Sequence, residues 1–184
     1  MPYAVALELD SDAASRVEAI AARVAAACGD RATTISSIGV LPHLSLTVYD
    51  DLPIDGVAAA LDALAVGSGN TDLLISSIGA FPAPGAASVA FLAPAITEPL
   101  LALHDYCHRA LAPLGHVCWE QYQPGHWVPH VTVAMGLDQE ALRTTMACCA
   151  SGWTPFRARL VALRLIGFPP VMALKQWSLR ATGD

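Results

Sequence analysis

The chain has 184 residues, a length that suits one domain or two lobes sharing a core. Hydrophobic residues make up 54% of it, yet no uninterrupted apolar run approaches the roughly 18 residues of a membrane-spanning helix. The net charge is -6, with nine arginines and one lysine and no basic stripe, which argues against binding to long RNA or DNA. A small nucleotide or the end of an RNA is compatible with this charge, because either needs few cationic contacts.

The first half of the chain is predicted to alternate strands and helices. Asp10, Ser11 and Asp12 follow the first strand and are candidate helix N-caps, and apolar residues then recur at helical spacing up to Gly29. In chain order, this half is predicted to contain a strand over 3–9, the capped helix, a strand over 43–49, a helix over 54–66 and a strand over 73–81.

The second half repeats this order and closes with two further strands. It is predicted to contain a strand over 88–93, a helix over 97–111, a strand over 130–135, a helix over 138–149 and strands over 156–168 and 172–181. This alternation with hairpins predicts an α+β fold. We expect a duplicated, two-lobed fold with pseudo-twofold symmetry, in which antiparallel sheets are flanked by helices and the active-site cleft lies between the lobes.

Two predicted strands carry the same Pro-His-x-Ser/Thr pattern, 87 residues apart. The pattern has its histidines at His43 and His130 and its hydroxyl residues at Ser45 and Thr132. Because side chains alternate faces along a strand, each histidine shares a face with its hydroxyl residue. Two imidazoles beside two hydroxyls suit a site that moves protons around an anionic group such as a phosphate.

The same alternation predicts the faces of the residues that follow each pattern. Thr47 and Ala134 are expected on the polar face, whereas Val48 and Met135 are expected in the core. A proline precedes each histidine, and proline belongs at the first residue of a strand because it has no amide to donate. Each histidine is therefore predicted at the mouth of its strand, within reach of a ligand.

Other landmarks repeat at nearly the same offset. Ile78-Gly79 followed by Phe81-Pro82 is echoed by the run that begins at Ile166-Gly167, 87 to 88 residues later. We therefore predict an internal repeat, roughly 1–84 and 85–184, within a single domain over 1–184.

Metal ligands and targeting signals are weak in comparison. His104 and His108 have the spacing that lets two helical histidines share a metal, but the glutamate of an H-E-x-x-H motif is missing. The five cysteines lack paired C-x-x-C spacing, so neither a disulfide framework nor a zinc ribbon is indicated. We expect no metal and no cofactor.

The start of the chain has no signal-peptide pattern, so we expect a cytoplasmic protein with no membrane partner. The sequence does not indicate the oligomeric state.

The paired motifs resemble those of the 2H phosphoesterases, which include bacterial 2'-5' RNA ligase-like proteins and cyclic nucleotide phosphodiesterases. The mark of that family is two H-x-T/S-x motifs in a duplicated fold, matched here by the motifs that begin at His43 and His130. The resemblance covers nearly the whole chain. It implies metal-independent attack on a phosphodiester, commonly a 2',3'-cyclic phosphate of a nucleotide or RNA terminus. It also implies that one histidine acts as base and the other as acid, and that Ser45 and Thr132 bind the phosphate oxygens.

The chain also departs from that family. Several RNA-directed relatives carry a basic or aromatic residue just beyond a motif, where this chain has Val48 and Met135. Phosphate binding then falls to hydroxyls, backbone amides or a distant arginine, for which the candidates are Arg157, Arg159 and Arg164. Candidate base-stacking residues are Trp127 and Tyr122, with Trp119 as a third, although burial is the commoner fate of an aromatic residue.

Two other functions fit the same motifs. An RNA 2'-5' ligase would use the same groups on a larger substrate, and a non-catalytic nucleotide-binding module would keep the histidines as ligands without turnover.

Overall fold

The computed structural model describes residues 1–179. Its strands are β1 (Tyr3–Leu9), β2 (Thr33–Thr34), β3 (His43–Tyr49), β4 (Thr71–Phe81), β5 (Ser88–Pro94), β6 (Val131–Leu137), β7 (Phe156–Gly167) and β8 (Met172–Ser178). Its helices are α1 (Ser11–Cys28), α2 (Ile54–Gly67), α3 (Glu98–Leu111) and α4 (Gln139–Ala150). The predicted elements are confirmed within a few residues at each end, except that the last strand was predicted to reach 181, beyond the described residues.

The strands form one antiparallel system flanked by helices. The pairing order β1-β3-β6-β5-β4-β7 returns to β1 through a further pairing of β1 with β7. The outer strand β8 pairs with β7, and the two-residue β2 pairs with β6. The helix α1 packs against α4, and α2 packs against α3. The α+β class with antiparallel strands flanked by helices is therefore confirmed.

The two motif strands have equivalent neighbours. In the β1–β3 pair Leu7 opposes Leu44, and in the β5–β6 pair Leu92 opposes Val131. Leu44 and Val131 also oppose each other, so the motif strands lie side by side and antiparallel at the residues that follow their histidines. An internal repeat would produce such a recurrence, and the division into halves 1–84 and 85–184 stays a prediction.

Local sequence signals explain the boundaries of the first helix. The Oδ1 atom of Asp10 accepts hydrogen bonds from the amides of Asp12 and Ala13 at 3.1 and 3.0 Å, which satisfies two of the free donors at the start of α1. The helix ends at Cys28 and is followed by Gly29, whose φ of 54° is readily adopted only without a Cβ atom. Asp10 is thus the N-cap among the three candidates.

The core is made largely of aliphatic side chains from the strands and the inner faces of the helices. Fully buried members include Leu7, Leu46, Leu61, Leu92, Leu100 and Leu137. Within residues 1–179, no helix has both the length and the apolar character needed to cross a bilayer.

Candidate active site

The four residues singled out by the repeated pattern line one cleft. His43, Ser45, His130 and Thr132 all contribute to a cavity of about 1110 Å³. The pairing of the motif strands brings them together, because the strands meet at the residue after each histidine. The prolines before the histidines cannot donate to a neighbouring strand, so regular pairing begins only at or just after each histidine.

Each histidine is held by the same backbone interaction. The Nδ1 atom of His43 lies 2.9 Å from the carbonyl oxygen of Leu41, and Nδ1 of His130 lies 2.8 Å from that of Val128. A carbonyl oxygen only accepts hydrogen bonds, so Nδ1 carries the proton in both rings. This arrangement leaves Nε2 of each ring as the atom that can take or give a proton.

Both imidazoles are biased toward the neutral form. Burial lowers the pKa of His43 below its usual 6.5, and the nearby charges of His130 and Arg164 lower it further. Burial likewise lowers the pKa of His130. In the free protein at neutral pH, each ring therefore has an unprotonated Nε2, as a general base requires. The ring that serves as acid needs a bound anion to favour its charged form.

Each motif strand contains a bulge just after its hydroxyl residue. Along β1, Ser45 and Thr47 oppose adjacent residues, so Leu46 has no partner of its own. The same shift along β5 leaves Val133 without a partner. A bulge inserts one extra residue on one strand and re-aims the side chains that follow.

The bulges overturn part of the predicted alternation. Thr47 and Ala134, predicted on the polar face, are fully buried. Val48 and Met135, predicted in the core, line the cleft. Strict alternation therefore holds only as far as each hydroxyl residue, and the cleft gains an apolar side chain three positions beyond it.

Trp127 does not line the cleft, so the structure gives no support to the prediction that it stacks on a base. Its indole ring is buried and lies parallel to the imidazole of His104, with ring centroids 4.0 Å apart. Its Nε1 donates to the carbonyl oxygen of Ser45 at 3.0 Å. Trp127 therefore links the segment before β6 to β3 from behind the site.

Tyr122 and Trp119 do line the cleft, and the role of Tyr122 in base stacking stays a prediction. The carbonyl oxygen of Tyr122 accepts hydrogen bonds from Nε2 of both His104 and His108, at 2.9 and 2.8 Å. Burial also lowers the pKa of His104 to about 4, so this ring is neutral at physiological pH. The two helical histidines thus position the Tyr122 segment. Within the described chain, no three His, Cys, Asp or Glu side chains are grouped to hold a metal.

The three candidate arginines lie outside the large cleft. Arg159 pairs with Asp72 at 2.8 Å, and Arg157 is exposed. Arg164 pairs with the buried Glu8 in a smaller cavity of about 70 Å³ that shares His43 with the cleft. Of the groups predicted to bind the phosphate, the hydroxyl residues Ser45 and Thr132 line the cleft and the three arginines do not.

Sequence reasoning missed an aromatic wall around His130. The centroids of the Phe81 and Phe91 rings lie 5.0 and 5.3 Å from that of the imidazole. Phe91 in turn packs on Gly79, where an added Cβ atom would lie 2.4 Å from the phenyl ring. The repeated Ile-Gly pair was the available signal, because a glycine inside a strand marks a close approach.

We expect Gly79→Ala to destabilise the protein by about 1–3 kcal/mol, because the methyl group overpacks the site of the buried Phe91 ring. The measurement is the free energy of unfolding in urea. Adding Phe91→Leu to Gly79→Ala should recover most of the loss. Wild-type stability of Gly79→Ala would show that the ring moves aside at no cost.

Comparison with known proteins identifies the class to which this site belongs. The sequence profile of the 2'-5' RNA ligase superfamily matches residues 42–168, which include both motifs. The chain therefore belongs to this superfamily of 2H phosphoesterases, as its motifs predicted. No curated protein sequence matches the chain.

Particular solved structures share the fold at low identity. TT0787 of Thermus thermophilus has a TM-score of 0.69 and 18% identity, with 100% of each chain covered. Escherichia coli LigT in complex with 3'-AMP has a TM-score of 0.63 and 14% identity, covering 97% of this chain and 99% of LigT. A structure described as a phosphoesterase has a TM-score of 0.65 and 16% identity, covering 97% of this chain and 98% of its own. At these identities the likeness concerns the fold.

Proposed function

We propose that this protein is a metal-independent phosphodiesterase that hydrolyses a 2',3'-cyclic phosphate, or a related cyclic phosphodiester, of a nucleotide or RNA terminus. The observation that carries the proposal is the shared cleft, in which His43 and His130 are both held through Nδ1 beside Ser45 and Thr132. Such a set can supply a base, an acid and two hydrogen-bond donors without a metal.

The proposed reaction is a single displacement at phosphorus. One imidazole accepts a proton from water through Nε2 as the water oxygen forms its bond to phosphorus. The other imidazole, protonated, donates its Nε2 proton to the ribose oxygen whose bond to phosphorus breaks. Ser45 and Thr132 donate hydrogen bonds to the two non-bridging oxygens, where negative charge increases in the transition state. The product is a phosphomonoester on the 2' or 3' oxygen.

The relatives support a small nucleotide as the ligand. Structures of E. coli LigT contain 3'-AMP, ATP, NADP+ or phosphate. A further neighbour is a phosphodiesterase domain, that of MHV ns2, with a TM-score of 0.52 and 16% identity. Because the superfamily is also named for RNA ligation, the proposal needs a test that separates hydrolysis from joining.

The test is a substrate panel assayed in excess EDTA. We expect a 2',3'-cyclic nucleotide to be opened to a monoester at an undiminished rate, because the proposed site needs no metal. Turnover confined to RNA ends would favour the ligase, and saturable binding without product would favour a binding module. Loss of activity that zinc or magnesium restores would overturn the metal-independent mechanism.

A further inference from the structure

The large cleft is uncharged apart from its histidines. In the described part of the chain, no lysine, arginine, aspartate or glutamate lines it. Its walls are instead largely aliphatic and aromatic, and include Ile35, Ile38, Val40, Phe168, Pro170 and Val171. Some of this apolar surface is open to solvent: Ile38 is 40% exposed and Val171 is 38% exposed. Contiguous exposed apolar surface of this kind commonly marks a binding site.

The cations around the cleft are engaged elsewhere. Arg164 lines a small cavity together with His43, but it pairs with the buried Glu8 and donates to Gln176 at 3.0 Å. Arg31, which lies two residues before the cleft-lining Thr33, pairs with Asp138 at 2.9 Å. Among residues 1–179, a ligand phosphate in the cleft therefore meets hydroxyls, imidazoles and other neutral polar groups, but no guanidinium or ammonium group lines the cleft.

These groups can match one negative charge, but they supply no fixed positive charge for a second. A single phosphodiester anion can be matched by one protonated imidazole and two hydroxyl donors. A second phosphate would lose its hydration against aliphatic walls without gaining an ion pair, which is a costly exchange. The net charge of -6 adds a general repulsion toward polyanions.

The cavity is also larger than a cyclic phosphate requires. Its volume of about 1110 Å³ lies just above the usual range for small-molecule sites, roughly 300–1,000 Å³. An apolar group that fills this space removes aliphatic surface on both partners from water, which favours binding.

We infer that the substrate is a cyclic phosphodiester with a single negative charge whose remaining substituent is uncharged and largely apolar. The inference rests on the proposed function for its chemistry and narrows that function. It favours isolated cyclic phosphates over RNA termini and over nucleotides with further phosphate groups.

The first experiment compares matched pairs of substrates. We expect uridine 2',3'-cyclic phosphate to have a kcat/KM at least roughly tenfold above that of its 5'-phosphorylated form, because the charged 5'-phosphate would lie against apolar walls. An octyl ether of glycerol 1,2-cyclic phosphate should exceed the unsubstituted compound, by up to roughly fourfold for each methylene that is buried. Equal or better turnover of the 5'-phosphorylated compound, or no gain from the octyl chain, would overturn the inference.

Arginine variants test whether the lack of a positive charge in the cleft causes the lower kcat/KM of the 5'-phosphorylated substrate. Met135→Arg places a guanidinium in the cleft and should reduce the penalty for the 5'-phosphate. Ile38→Arg does the same from a position that is already 40% exposed, and serves if Met135→Arg does not fold. Val66→Arg is the matched control, because Val66 is 61% exposed on α2, which does not line the cleft. If the folded cleft variants discriminate against the 5'-phosphorylated substrate as strongly as the wild type does, the inference is overturned.

Binding measurements separate this inference from the proposed activity. Calorimetry with stable linear diesters, methyl octyl phosphate against methyl ethyl phosphate, reports the preference of the cleft without any turnover. If no cyclic phosphate is hydrolysed and the octyl diester still binds at least tenfold more tightly, the proposed activity fails and the inferred ligand class stands. If cyclic nucleotides are hydrolysed and the two diesters bind equally, the activity stands and the inference fails.

Discussion

Replacing either His43 or His130 with alanine is expected to lower kcat/KM by roughly 10²- to 10⁴-fold, the range typical of general acid–base catalysis. Each ring is held through Nδ1 by a backbone carbonyl, so each variant removes one proton-transferring Nε2 atom from the cleft. The double variant should be little worse than the worse single variant, because an acid and a base that act in one step are not additive. Steady-state kinetics on folded variants checks both statements.

The controls for this experiment follow from the structure. His116→Ala should retain wild-type activity, since His116 is exposed and does not line the cleft. His126→Ala is a more demanding control: His126 lines the cleft, yet we expect this variant to stay near the wild type because His126 lies outside both motifs and its Nδ1 is 3.7 Å from a carboxylate oxygen of Glu120. His104→Ala is a poor control because His104 is buried against Trp127. Full turnover by a folded His43→Ala or His130→Ala protein would exclude the acid–base pair.

The pH profile should be bell-shaped and displaced toward acid. The active form has one imidazole neutral and one protonated, so it is most abundant between the two apparent pKa values of the pair. Burial lowers the pKa of both rings below 6.5, so the optimum of kcat/KM, which reports the free enzyme, is expected below pH 6.5. A bound phosphate anion favours the imidazolium, so the optimum of kcat should lie at higher pH. Coincident optima above pH 7 would contradict this assignment.

Removing one hydroxyl from the cleft is expected to have the next largest effect. Ser45→Ala and Thr132→Val should each lower kcat by about 10²-fold, the usual cost of losing one donor to an oxygen that gains charge in the transition state. KM should change much less, because these hydrogen bonds strengthen as the reaction proceeds. Steady-state kinetics on a 2',3'-cyclic nucleotide separates the two parameters.

A buried hydroxyl on β3, the strand that carries Ser45, provides the control. Thr47→Val changes a side chain only two residues beyond Ser45, but Thr47 is fully buried and does not line the cleft. We expect its kcat to match the wild type. A rise in KM with unchanged kcat for Ser45→Ala and Thr132→Val would assign both hydroxyls to ground-state binding alone.

Local and repeated patterns predicted much of the fold and the composition of the site. The alternation after Pro42 predicted β3 from His43 to Tyr49, and Asp10 capped α1 as expected, because these features depend on neighbours in the sequence. The repeat identified His43 and His130 as a pair that the structure brings into one cleft.

Features that depend on a distant partner escaped prediction. The bulges at Leu46 and Val133 depend on the register with β1 and β5, which strand alternation alone does not specify. Trp127 is buried because its indole donates to the carbonyl oxygen of Ser45 and stacks on the imidazole of His104. These partners lie 82 and 23 positions away in the sequence. The two residues of β2 are too few to show any periodicity.

The paired bulges also place a core residue directly beside a residue that lines the cleft. Just after the bulge of each motif strand, two adjacent side chains have different surroundings. Thr47 and Ala134 lie in the core, whereas Val48 and Met135 line the cleft. A mutation at Met135 changes what the cleft accommodates while the histidine and hydroxyl three or more residues earlier keep their backbone. The fold can therefore acquire new substrates through these two positions without a change in its proton-transfer chemistry, which makes them the first sites to randomise in directed evolution.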